Sequence, residues 1–184
     1  MRRALLLAAL TALGVAPAQA QDAAWEALRT PGVVVVLRHS HAPGAYDPPD
    51  ARLDDCSTQR NLDDAGRAQA RRVGEAFRAH GVTVGAVLSS PRCRCLDTAR
   101  LAFGRAEVWM PLQGALRDTE IRQRLAAQVR ERMDAYADGP PLVLVTHGSV
   151  VSDVTGRTVR MGEAVILRRD ADGHRSVAGQ LDVE

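Results

Sequence analysis

Apolar positions fall into short runs separated by polar stretches of helical period, an alternation that predicts an α/β fold. Val33 to Leu37 is a continuous, largely β-branched run, as expected of a strand buried on both faces. A long polar loop with Gly44, Pro48 and Pro49 follows. Asp63 is placed to cap a helix through Ala70 and Val73 toward Ala79, and Gly81 ends it. Val84 to Leu88 predicts a second strand, and Pro91 opens a helix to about Phe103. Val108 marks a short third strand. A polar helix is expected from Asp118 to Tyr136, broken by Asp138-Gly139-Pro140. Leu142 to Val145 predicts another buried strand, ending at Thr146-His147-Gly148, with Ser149 capping a short helix. Val165 to Leu167 and the tail around Val177 form a final hairpin turning at Asp172-Gly173. The expectation is one domain over residues 21–184, a three-layer α/β/α sandwich with a mostly parallel sheet.

The first 20 residues follow another pattern. Arg2 and Arg3 precede an apolar run from Ala4 to Ala16, then Pro17-Ala18-Gln19-Ala20, a small-x-small cleavage signature. The run is too short to cross a bilayer, which takes about 20 apolar residues. Residues 1–20 are therefore predicted to be a signal peptide, leaving a mature chain from Gln21, periplasmic or secreted, without a membrane span. The full chain carries a net charge of +2, so loss of the two arginines leaves it formally neutral. A neutral domain has no global attraction for nucleic acid or acidic membrane. All 24 strongly basic side chains are arginine, whose planar fork suits oxyanions. Of the three cysteines, Cys93 and Cys95 are too close for an easy mutual bridge, so Cys56 is expected to pair with one of them in an oxidising compartment.

In sheets of this kind ligands bind beyond the carboxyl ends of the strands. The first strand delivers Arg38-His39-Ser40 there. The second delivers Ser89-Ser90, with Arg92 and Arg94 at the start of the next helix, and the later strand delivers Thr146-His147-Gly148. Two histidines and several arginines thus converge on one rim. A neutral imidazole can attack phosphorus, and guanidinium forks match phosphoryl oxygens. His39 is the candidate nucleophile, its other ring nitrogen held by a backbone carbonyl. Arg38 and Arg94 are the candidate clamp, and His147 is expected to donate to the same oxygens. Arg92 either binds substrate or faces solvent, and solvent is the expectation. His41 falls at the pocket mouth or on the surface, and His80 and His174 at element ends. A three-histidine zinc site of His39, His41 and His147 is the rival chemistry, opposed by the cations Arg38 and Arg94 beside it.

Four segments carry a family resemblance. Leu37-Arg38-His39 resembles the "RHG" signature of the histidine phosphatase superfamily, the phosphoglycerate mutase-like branch 1. The run from Arg60 to Ala70 resembles its "LTxxGxxQA" helix start. Ser89-Ser90-Pro91-Arg92-Cys93-Arg94-Cys95-Leu96-Asp97-Thr98-Ala99 resembles "SSPxxRxxxTA", with Arg94 as the family arginine. Thr146-His147-Gly148 matches the second histidine motif. The resemblance implies a phosphatase working through a phosphohistidine on His39, without cofactor or metal. Two positions depart from it. Ser40 stands where the family has glycine. The glutamate acid that mutase-like members carry in an insertion has no counterpart. Asp118 and Glu120 are the available carboxylates, and Asp118 is the expected proton donor. A mutase would need a water-excluding lid, for which the connection between Arg94 and His147 is short. A non-catalytic phosphate-binding module on the same scaffold is the alternative. The expected substrate is a small phosphorylated molecule, with export and the family's envelope-sugar phosphatases pointing toward an envelope sugar phosphate.

Overall fold

The computed structural model describes residues 17–114 and 118–183, with side chains from Gln21 onward. Six strands, β1 (Val34–Arg38), β2 (Val87–Ser89), β3 (Glu107–Val108), β4 (Leu142–Thr146), β5 (Ala164–Arg169) and β6 (Arg175–Leu181), form one sheet in the order β3-β2-β4-β1-β5-β6. The first four run parallel; β5 joins β1 antiparallel, and β6 closes the edge as a hairpin with β5.

Helices cover both faces, so the expected three layers are present. The strand period of two divides the β1 valines between them. Val35 and Leu37 pack with Val143 and Val145 under α1 (Pro17–Ala27), α2 (Asp64–Ala79) and α3 (Cys93–Phe103). Val34 and Val36 pack with Leu142 and Leu144 under α4 (Thr119–Ala135) and α5 (Gly148–Thr155). Val34, Val35 and Val36 are 0% exposed. Burial of such a side chain contributes about 1.5–3 kcal/mol, which is why the run has no polar position.

Register is the feature that matters for the site. Arg38 pairs with Thr146 across β1 and β4. The next residues on each strand, His39 and His147, therefore leave the sheet side by side. His39 N continues the ladder by donating to Thr146 O at 2.9 Å.

Several boundaries differ from the sequence expectation. β2 lies at Val87–Ser89, later than Val84 to Leu88, and the helix after Pro91 begins at Cys93. Ser149 is not the cap of α5; that position belongs to His147, and Ser149 is exposed within the first turn. The expected cleavage point falls inside α1, whose packing residues Ala24, Trp25 and Ala27 all follow it; residues 1–16 lie outside the described chain. Trp25 stacks on His80 with ring centroids 3.9 Å apart. Gly66 in α2 lets the helix press on the loop after β1: a Cβ there would lie 1.9 Å from His41 O.

Candidate active site

His39 sits where β1 ends, 2% exposed. Its Nδ1 is 2.8 Å from Ser40 O. A carbonyl only accepts, so Nδ1 carries the proton and Nε2 presents a lone pair. Burial first, then the charges of Arg94, Arg60 and Arg38, push its pKa down to about 3 against the bond to Ser40. The imidazole is neutral at physiological pH, the state that a nucleophile needs.

The His147 ring stands 5.4 Å from that of His39, centroid to centroid. Its Nδ1 lies 3.3 Å from Arg94 Nη2 and its Nε2 2.9 Å from Ser90 Oγ. Arginine can only donate, so Nδ1 accepts and the proton is on Nε2, facing Ser90. Burial, followed by the charge of Arg94, holds His147 well below the ordinary histidine range. Nε2–H of His147 thus faces Ser90 Oγ, and Nδ1 orients Arg94. Gly114 allows the close approach on the far side, since a Cβ there would lie 2.6 Å from the His147 ring.

Arg94 is almost wholly buried. Its Nη1 donates to Asp47 Oδ1 and Oδ2 at 2.8 and 3.1 Å and reaches Arg60 O at 3.3 Å. Arg38 donates from Nη1 to Val159 O at 2.8 Å, its guanidinium lying beside Gly148. Both expected clamp residues are therefore brought to the histidine pair.

Asp118 is not. It is exposed and its carboxylate accepts from Ile121 N at 2.9 Å as the N-cap of α4. Among the described residues it makes no hydrogen bond or ion pair with the site, and Glu120 is also exposed. The physical reason is the helix start itself, whose orphan N–H groups compete for the nearest carboxylate.

Two members escaped the sequence reading. Arg60 anchors Nη1 on Ala42 O at 2.6 Å and brings Nη2 within 3.5 Å of His39 Nε2. Asp47, 9% exposed, receives Arg60 N at 2.9 Å as well as Arg94. Burial would raise the pKa of Asp47, but the hydrogen bonds from Arg60 N and Arg94 outweigh it and keep the carboxyl below its usual range. Arg60 could have been found from its place at the head of the helix-start motif. Nothing in the spacing distinguishes Asp47 from Asp50, Asp54 and Asp55 in the same loop. Arg92, expected in solvent, also turns inward, with Nη1 3.7 Å from Asp47 Oδ2.

The loop carrying Asp47 and Arg60 is tied to the start of α3 by a disulfide between Cys56 and Cys93, with Cα atoms 5.7 Å apart. Cys95 is free and buried, and burial pushes its thiol up to about 12. His41 does not join His39 and His147; its Nδ1 faces the Asp63 carboxylate at 3.0 and 3.1 Å. Among the described residues no three histidine, cysteine or carboxylate groups come together as a metal-ligand set.

Around the two neutral rings stand four arginines and one carboxylate. The buried Nε atoms of Arg38, Arg60, Arg92 and Arg94 have no hydrogen-bond partner among the described residues. Donors left unsatisfied in one cluster cost free energy unless an anion meets them. A neutral imidazole lone pair facing such a cluster defines a site for attack on an oxyanion such as a phosphoryl group.

Residues 34–120 match the model of the histidine phosphatase superfamily, branch 1. That match, the fold and the motifs on its strand ends support the histidine phosphatase superfamily, and with it a phosphatase as the class of enzyme. The structure is similar to the protein histidine phosphatase SixA complexed with tungstate, at TM-score 0.58 and 17% identity over 82% of this chain and 96% of that one. It is also similar to phosphoserine phosphatase from Entamoeba histolytica in complex with 3-phosphoglyceric acid, at TM-score 0.64 and 13% identity over 83% and 98% of the two chains. TTHB049 from Thermus thermophilus matches at TM-score 0.56 and 22% identity over 81% and 98%. No curated protein matches the chain in sequence.

Proposed function

We propose that the chain hydrolyses phosphomonoesters through a phosphohistidine on His39, acting outside the cytoplasm on small phosphorylated molecules. The observation that carries this reading is the Nδ1 contact of His39 to Ser40 O, which leaves Nε2 as a lone pair beside Arg60 and the Arg94–His147 pair. In the first step Nε2 attacks phosphorus opposite the ester oxygen; the N–P bond forms as the P–O bond breaks. Arg38, Arg60 and Arg94 balance the charge on the three remaining oxygens. The leaving oxygen takes its proton from solvent, because among the described residues the carboxyl group at the site is Asp47, which Arg60 N and Arg94 hold ionised. Water then attacks phospho-His39, gives up a proton, releases inorganic phosphate and returns the electron pair to Nε2.

The signal-like first 20 residues and the Cys56–Cys93 bridge support export. Export restricts the substrate to envelope or extracellular phosphomonoesters, sugar phosphates among them. The names of the similar structures, a protein histidine phosphatase and a phosphoserine phosphatase, support small phosphorylated groups as the class.

Turnover of p-nitrophenyl phosphate by the mature chain tests the proposal. His39→Ala is expected to reduce it to background, and orthovanadate to inhibit the native enzyme while a chelator does not. Full activity in His39→Ala would refute the nucleophile. Tight stoichiometric phosphate binding without turnover would instead identify a phosphate-binding module. With the proton coming from solvent, activity should rise steeply as the leaving group becomes a weaker base.

A further inference from the structure

Arg92 is not needed to surround a phosphoryl group. Arg38, Arg60 and Arg94 already face the His39–His147 pair, whereas Arg92 stands at the N-cap position of α3. Its side chain is 20% exposed where that of Arg94 is 3% exposed. The position is unfavourable for a cation. The N-terminus of a helix carries partial positive charge, and Arg92 makes no cap bond there. Two other guanidinium groups are near, and the anion they share, Asp47, is already held by Arg94 at 2.8 Å. Arg92 Nη1 is 3.7 Å from Asp47 Oδ2, too far to donate, and its Nε and Nη1 are buried without a hydrogen-bond partner.

An arginine at the positive end of a helix, among other arginines and with two buried donors open, has no anion of its own: it shares Asp47 with Arg94. We propose that Arg92 recognises a second anionic group, carried on the leaving side of the substrate two or three bonds from the ester oxygen. The Nη1 atoms of Arg94 and Arg92 face the same Asp47 oxygen, at 3.1 and 3.7 Å. A ligand with its phosphoryl group at Arg94 and a carboxylate or second phosphate at Arg92 takes over the place that Asp47 fills. The substrate class is then a phosphomonoester of a hydroxy acid, or a compound with two adjacent phosphates, rather than a neutral alcohol ester. This deepens the phosphatase reading and rests on it for the phosphoryl position.

Binding separates the two claims, because it needs no turnover. The matched probes are phosphoglycolate against ethyl phosphate, which differ by a carboxylate in place of a methyl group, and pyrophosphate against inorganic phosphate. Calorimetry on the mature native chain is expected to show the doubly anionic member of at least one pair bound about tenfold more tightly or better, the factor conferred by one charge-assisted hydrogen bond. The pair that shows the preference identifies the second anion as carboxylate or phosphate. In Arg92→Gln that ratio is expected to collapse toward one, and Arg92→Lys to recover part of it. Equal ratios in native protein and Arg92→Gln, or no preference within either pair in the native protein, would overturn the proposal. Equal loss of both members in Arg92→Gln, with an unchanged melting temperature, would also overturn it by placing Arg92 on the phosphoryl group. Binding without any p-nitrophenyl phosphate turnover would count against the phosphatase reading alone.

Discussion

His39 and His147 stand at the ends of β1 and β4, on strands laddered on both sides and buried on both faces. Asp47 and Arg60 stand on the loop between β1 and α2, where the buried apolar side chains among the described residues are Ala42 and Leu62. What holds this loop is polar or covalent: the Cys56–Cys93 bridge, Gln59 Oε1 accepting from Cys93 N at 3.0 Å, and the Arg60 and Asp47 contacts. One half of the site is thus built by register and apolar burial, and its geometry is as stable as the sheet. The other half depends on one cross-link and a charge balance, so it can fail while the fold survives.

The difference can be broken from the sheet side first. Val36→Asp places an unpaired carboxylate at a 0% exposed position and should cost more than about 4 kcal/mol, abolishing the folded far-UV spectrum. Cutting the loop tie comes next. The bridge spans 37 residues, for which chain-entropy arguments give about 4 kcal/mol. Reduction or Cys56→Ser should lower the melting temperature and also weaken phosphate binding in the fraction that remains folded. Unaltered phosphate affinity would show that the loop holds itself.

Acid acts on the histidine half. The pKa values of His39 and His147 lie below the unfolded value near 6.5, so the unfolded chain binds more protons between that pH and the folded values. Stability contributed by the neutral rings is present above about pH 6.5 and is lost as pH falls below it, by about 1.4 kcal/mol per pH unit for each ring. Melting temperature should fall from pH 7 to pH 4, and less steeply in His39→Ala. The His39 ring stays unprotonated until pH approaches 3. The smallest effect belongs to Asp47→Asn. Asparagine keeps one oxygen for Arg94 and Arg60 N but loses the charge, which should cost about 1–2 kcal/mol, and added phosphate should stabilise this variant more than the native chain by supplying the missing anion.

The histidine half was legible in the sequence because the buried β-branched runs and the polar residues ending them are local features. Val33 to Leu37 and Leu142 to Val145 end in His39 and His147, and strand-end placement does the rest. The loop half was not, since its members are chosen by tertiary contact: Asp47 turns inward while neighbouring aspartates of the same chemistry do not. Arg92 turns inward rather than to solvent; it precedes the helix as its N-cap, with extended backbone at φ −67° and ψ 136°. Asp118 was correctly placed before α4, yet that position engages its carboxylate as a helix cap.

The most direct test mixes the native enzyme with a fast-leaving aryl phosphate, quenches it in alkali within a turnover, and measures the intact mass and the modified peptide. One added PO3 unit, acid-labile and mapped to His39, is the expected result, with none in His39→Ala. Steady turnover with no such adduct at any quench time, or an adduct on another side chain, would contradict the account.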